Sequence, residues 1–192
     1  MKRAAVLLLL TSACSSSAPT DAGPDGMQAD AAEAPTDAGT QEMDAAMATV
    51  TSLNIMLAGQ GRELTRAQMG FERKDGGVTG FYVEAHAGGD PMCTGPNSPT
   101  PNYTMVLSGV SVVTPGTRLT TADGLQVSLL DFVGDLTPTP APVRATAVDF
   151  EVLDVVTSPD SEAVLRGNLT ASFDGGSITG TVSAEHCASL DG

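Results

Sequence analysis

Strict alternation of apolar and polar residues, cut at intervals by Asp-Gly turns, constrains this chain more than any other feature. Phe81, Val83 and Ala85 alternate with Thr79, Tyr82 and Glu84, and Leu125, Val127 and Leu129 with Gln126 and Ser128. Val148, Phe150 and Val152 alternate with Asp149 and Glu151, and Leu169, Ala171 and Phe173 lead on to Ile178, Val182 and Ala184 in the same period. A period of two over five or more residues sets one row of side chains against a core and the other against water, which is the pattern of strands. Asp75-Gly76-Gly77, Ala122-Asp123-Gly124 and Asp174-Gly175-Gly176-Ser177 fall between such runs, and Asp-Gly accepts the positive φ of a tight hairpin. Ser158-Pro159-Asp160-Ser161 reads as a further turn, and longer Pro-rich connections run from Pro91 to Pro101 and from Leu136 to Pro142. The one helical hint is a weak stripe from Arg62 to Met69. The expectation is an all-β domain of about eight or nine strands, an antiparallel β-sandwich first and a closed β-barrel as the alternative.

The alternation begins near Ala48, and the residues before it are of two other kinds. Met1-Lys2-Arg3 is a short basic flank, Ala4 to Leu10 is an unbroken apolar run, and Thr11-Ser12-Ala13 leads with small side chains into Cys14. The apolar run is too short to cross a bilayer as a helix, which takes roughly 20 residues, and it has the size and flank of a signal peptide. Leu10-Thr11-Ser12-Ala13-Cys14 resembles the lipobox of bacterial lipoproteins, with Thr11 where the commonest form has Leu. The resemblance implies that residues 1–13 are removed and that Cys14 is diacylated and becomes the new N-terminus. An ordinary secretory cleavage after Ala13, leaving Cys14 free, is the alternative. Two or three acyl chains, at ~0.8 kcal/mol per buried CH₂, anchor a protein stably where one chain does so marginally. Ser15, rather than Asp, after the cysteine points to the outer membrane under the sorting rule of enterobacterial lipoproteins.

Residues 14–47 read as a tether. Ala18-Pro19-Thr20-Asp21-Ala22-Gly23 recurs as Ala34-Pro35-Thr36-Asp37-Ala38-Gly39, and the segment has no aromatic residue. Such a composition buries too little apolar surface to offset its chain entropy and is expected to be disordered. Its charges are all acidic (Asp21, Asp25, Asp30, Glu33, Asp37, Glu42 and Asp44), and like charges extend a linker. The tract resembles those that follow the anchor cysteine in lipoproteins of myxobacteria and their relatives.

Charge narrows the partners of the 48–192 domain. Seven of the nine basic residues fall in it against 16 of the 23 acidic ones, a formal charge of about −9 with no basic cluster. Nucleic acid is not expected as a partner, because binding phosphates needs Lys and Arg to replace counterions. The expected partners are a membrane, through the lipid on Cys14, and a protein or polymer not identified by any motif.

Two cysteines remain, Cys93 in the Pro-rich loop and Cys187 after the last strand. Leftover cysteines in an exported domain usually pair, so a disulfide is the first reading. The second is a metal site: His86, Cys93, His186 and Cys187 together offer soft and borderline ligands for zinc or copper. Against it, His186 and Cys187 are adjacent and point to opposite faces of a strand.

Other chemistry lacks its motifs. Gly175-Gly176-Ser177-Ile178-Thr179-Gly180 does not have the spacing of a nucleophile elbow and reads as a hairpin. There is no His-Glu-x-x-His and no phosphate-binding Gly-Lys-Ser/Thr loop, and no cofactor is implied. Asp149, Glu151 and Asp154 do not have calcium-loop spacing. With no Trp, two Tyr and five Phe, a stacking platform for sugars is not expected. No catalytic residues are assigned. The expectation is a non-catalytic, lipid-anchored envelope or surface protein, with a small-ligand or metal carrier or sensor as the alternative. Met56, Met69, Met92 and Met105 are expected to pack in the interior of either.

Overall fold

The computed structural model of the chain describes residues 50–138, 141–157 and 163–192. The expected signal peptide, Cys14, the tether and the Ser158 to Ser161 turn lie outside the described residues.

The domain is all-β. Its strands are β1 (Ser52–Leu57), β2 (Gln60–Leu64), β3 (Arg66–Lys74), β4 (Gly77–Ala87), β5 (Tyr103–Ser111), β6 (Arg118–Thr120), β7 (Gln126–Asp131), β8 (Val143–Arg144), β9 (Ala147–Val156), β10 (Val164–Phe173) and β11 (Gly176–His186). They exceed the expected number because short pieces such as β6 and β8 carry too few residues to show a period. Hydrogen bonds join them in one sheet, in the order β6-β9-β10-β11-β3-β4-β5-β7-β8, with the β1–β2 hairpin attached through β11. The sheet curls into an open half-barrel, which lies between the sandwich and the closed barrel that the sequence allows.

The curl turns on β11. One of its edges pairs along its length with β10. The other is shared, with β1 along Gly176 to Thr181 and then β3, in parallel, along Ala184 to His186. The alternating residues fill the inside of the curl. Leu53, Met69, Phe81, Met105, Phe150 and Leu165 are each fully buried there, and burying a side chain of this size stabilises the fold by about 1.5–3 kcal/mol. Met69 and Met105 are therefore core residues as expected, whereas Met56 and Met92 are exposed by 53% and 72%. Met56 sits on the outward phase of β1, and Met92 sits in a loop.

Two local expectations differ from the fold. Arg62 to Met69 is extended, as the end of β2 and the start of β3. The helical stripe arose because Ala67, Gln68, Met69, Gly70 and Phe71 are all buried, so β3 is covered on both faces and loses its alternation. Ala122-Asp123-Gly124 does not close a hairpin, since β6 pairs with β9 and β7 with β5. Asp123 Oδ2 accepts from both the backbone N–H and the hydroxyl of Thr120, at 2.9 Å each, and curls the chain into a 3₁₀ turn instead. Conversely, Ala58-Gly59 closes the β1–β2 hairpin with φ of 51° and 77°, a turn with no Asp-Gly signature. Asp75-Gly76 and the Asp174-Gly175 segment join β3 to β4 and β10 to β11 as the sequence predicts.

Candidate functional site

The strand that carries His86 has two wet-phase residues before it, Tyr82 and Glu84, and period two puts all three side chains on the outer face of β4. Across the β4–β5 ladder, His86 faces Thr104 and Glu84 faces Val106. On an ordinary half-barrel this face meets water. Here the Pro-rich connection from β4 to β5 folds back over it as a strap.

The strap is fastened at several points. Gly88 and Gly89 both take positive φ, 75° and 78°, which lets the chain reverse as it leaves β4. A Cβ on Gly89 would stand 3.1 Å from Pro101, where the two ends of the strap pass each other. Cys93 is bonded to Cys187, so the expected disulfide is present and spans 94 residues of sequence. Gln68, buried on β3, reads the strap backbone in both directions. Its Nε2 donates to the Met92 carbonyl at 2.6 Å, and its Oε1 accepts from the Thr94 N–H at 3.3 Å. Inside the strap, Asp90 accepts from the Met92 N–H and the Ser98 hydroxyl, and these two bonds hold its carboxyl below the usual carboxylate range. The Ser189 hydroxyl donates to the Thr94 carbonyl and adds a tie from the 187–192 segment.

Between strap and sheet lies a cleft of about 430 Å³. Apolar groups form much of its wall, among them Pro99, Pro101, Val106, Leu130 and Phe132. Phe132 is 53% exposed, although it is one of the largest apolar side chains in the domain. The floor is a polar chain. The Tyr82 hydroxyl donates to Glu84 Oε1 at 2.8 Å, Glu84 Oε2 lies 3.5 Å from His86 Nε2, and His86 Nδ1 is 3.1 Å from Thr104 Oγ1. Burial, and then the bond to Glu84, push the Tyr82 hydroxyl well above its ordinary pKa, so it stays a donor. Burial pulls the His86 pKa below 6.5; Glu84 opposes that shift and Arg66 adds to it. The imidazole, only 2% exposed, is therefore neutral at neutral pH, and its Nε2 has no hydrogen-bond partner among the described residues.

The four candidate metal ligands do not come together as a set. Cys93 and Cys187 spend their sulfurs on each other. His186 is engaged elsewhere: its ring stacks on Phe71 with centroids 4.6 Å apart, and its Nε2 meets Asp191 Oδ1 at 2.9 Å. Among the described residues, no three His, Cys, Asp or Glu side chains converge as a metal-ligand group. The acidic run on β9 is likewise divided, with Asp149 on Arg118, Glu151 on Asn168 and Asp154 on Arg166.

Of the candidate site residues His86, Cys93, His186 and Cys187, His86 alone lines the cleft, and the Cys93–Cys187 bond anchors the strap that roofs it. Tyr82, Glu84 and Thr104 pass unnoticed in the sequence because the alternation assigns them to water. The available signal was the placement of a Pro-rich loop, anchored by a cysteine, immediately after that strand. No protein-family model, curated protein or solved structure matches the chain.

Proposed function

We propose that the chain is a lipid-anchored, non-catalytic binding protein of the bacterial cell envelope, on the outer membrane, which recognises its ligand in the strap cleft. The anchor half of this reading rests on Leu10-Thr11-Ser12-Ala13-Cys14 and on the acidic tether that follows it. The binding half rests on one observation: a cleft with apolar walls and a few polar groups, whose roof is fixed before any ligand arrives by a disulfide and the Gln68 clamp. Preformed concavities of a few hundred Å³ with this division of lining are what small-ligand sites look like, and fixing the walls in advance removes the ordering cost of binding. The size of the cleft suits a small molecule or a single side chain rather than a broad protein face. That draws the carrier alternative to the same site, since the interior of the curl is filled by its own side chains.

The anchor is tested by expressing the full chain in a bacterium fed an alkyne-bearing palmitate. The parent is expected to incorporate the label and sediment with membranes, and Cys14→Ser to lose both properties. A parent chain that is exported without label would sink the lipoprotein reading.

A further inference from the structure

We propose that the strap cleft takes a primary ammonium carried on an apolar stem, as on a lysine side chain or an alkylamine, with the charge at Glu84 and His86 and the stem along Phe132, Leu130 and Val106. This rests on reading the cleft as the binding site and names the ligand chemistry.

The floor offers acceptors to a cation. Tyr82 occupies one oxygen of Glu84 and so fixes the plane of the carboxylate, leaving Oε2 without a strong donor. His86 Nε2 lies 3.5 Å from Oε2, and with a cation at Oε2 the tautomer that donates Nδ1–H to Thr104 Oγ1 turns Nε2 into a second acceptor. A buried polar atom without a partner destabilises the empty site, and one ammonium has N–H groups enough to serve both Oε2 and Nε2. Arg66, opposite His86 on β3, is drawn off to the Gly88 carbonyl and is not part of the cleft wall. Among the described residues no other Lys or Arg lines the cleft, so none of them has to be displaced from the carboxylate.

The walls suit the stem. Val106 and Leu130 line the sheet side, Pro99 and Pro101 the strap side, and the exposed ring of Phe132 stands in the same wall. An anionic ligand would face Glu84 and a domain of formal charge near −9, a field that draws cations in.

The test uses the full chain with labelled methyl groups, followed by NMR at Val106 and Leu130. The probes are N-acetyl-lysine methylamide, its norleucine counterpart with the same stem and no ammonium, n-pentylamine and n-pentanol. The expected result is shifts at both methyl sites with the two amines, and affinities roughly ten- to a hundredfold weaker for the two neutral probes, the usual range for a hydrogen bond to a charged group. Glu84→Gln is expected to remove that preference, so that amines bind it no more tightly than the neutral probes. Phe132→Ala, at an exposed position where folding is not at risk, is expected to weaken both amines. Binding by the lysine probe alone would assign the ligand to a peptide, and binding by both amines to the free ammonium; each supports the inference. Neutral probes that bind as tightly as amines would overturn the ammonium assignment and leave the cleft a binding site. No shift with any probe would overturn both.

Discussion

His86 shows how far a single side chain departs from what its type suggests. In the sequence it is one of two histidines and a candidate ligand; in the fold it is a neutral imidazole under a strap, bonded at Nδ1 and, among the described residues, without a hydrogen bond at Nε2, which lies 3.5 Å from Glu84. Burial lowers its pKa from 6.5, so between that lowered value and 6.5 the unfolded chain binds more protons than the folded one. Stability is then full above about 6.5 and falls as the pH drops below it. The groups that face the ring, Glu84, Arg66 and Thr104, leave the direction unchanged. Thermal melts between pH 7 and pH 5 are expected to show a falling midpoint in the parent and a flatter profile in His86→Gln, above the range where carboxylates titrate. Equal slopes in the two proteins would mean that the imidazole is not buried as described. Nothing in the residues next to His86 in sequence announces this burial, because the strap residues that share its cleft, Pro99 and Pro101 among them, lie more than ten positions away.

Among the elements, β3 and the 187–192 segment depend on each other in a way that period two conceals. The Cys187 N–H donates to Met69 O and the Gly192 N–H to Phe71 O, while the Arg73 N–H donates to Gly192 O. The Ala188–Leu190 3₁₀ turn arches over Gly70 between these points. A Cβ on Gly70 would stand 2.1 Å from the Leu190 carbonyl oxygen, so only glycine leaves room for the arch. Gly70→Ala is expected to lift the segment and cost about 1–3 kcal/mol, the usual range for overpacking, read as a lower denaturation midpoint. An unchanged midpoint would show that the segment does not press on β3. Strands such as β7 and β9 were legible because each has one wet face, and β4 because Tyr82 and Glu84 keep its strap-covered face polar, whereas Ala67 to Phe71 of β3 are buried without a break and read as a helix. The turn at Asp75-Gly76 was legible because its positive φ suits those residues; the one at Ala58-Gly59 was not, since Ala58 adopts it only under the constraint of the β1–β2 ladder.

At the scale of the whole molecule, alternation identifies which residues face inward but not which edges join. The parallel contact of β11 with β3 links Ala184 to Ala67, more than 100 residues apart, and no local pattern encodes it. The two leftover cysteines did signal the bridge, and the bridge is the one covalent link between the strap and the far end of the chain. In the chain-entropy treatment, closing a loop of 94 residues stabilises by up to ~4–5 kcal/mol, and here it also decides whether the cleft has a roof. Hydrogen exchange of the full chain, with Cys93 and Cys187 first oxidised and then reduced, tests that claim directly. The amides of Met92, Thr94, Gly95 and Ser98, all hydrogen-bonded within or beneath the strap, are expected to be protected in the oxidised protein and to exchange at loop rates after reduction, while β4 and β5 stay protected. Strap amides that exchange as fast with the bond intact as without it would contradict a preformed cleft, and with it the binding site proposed for this protein.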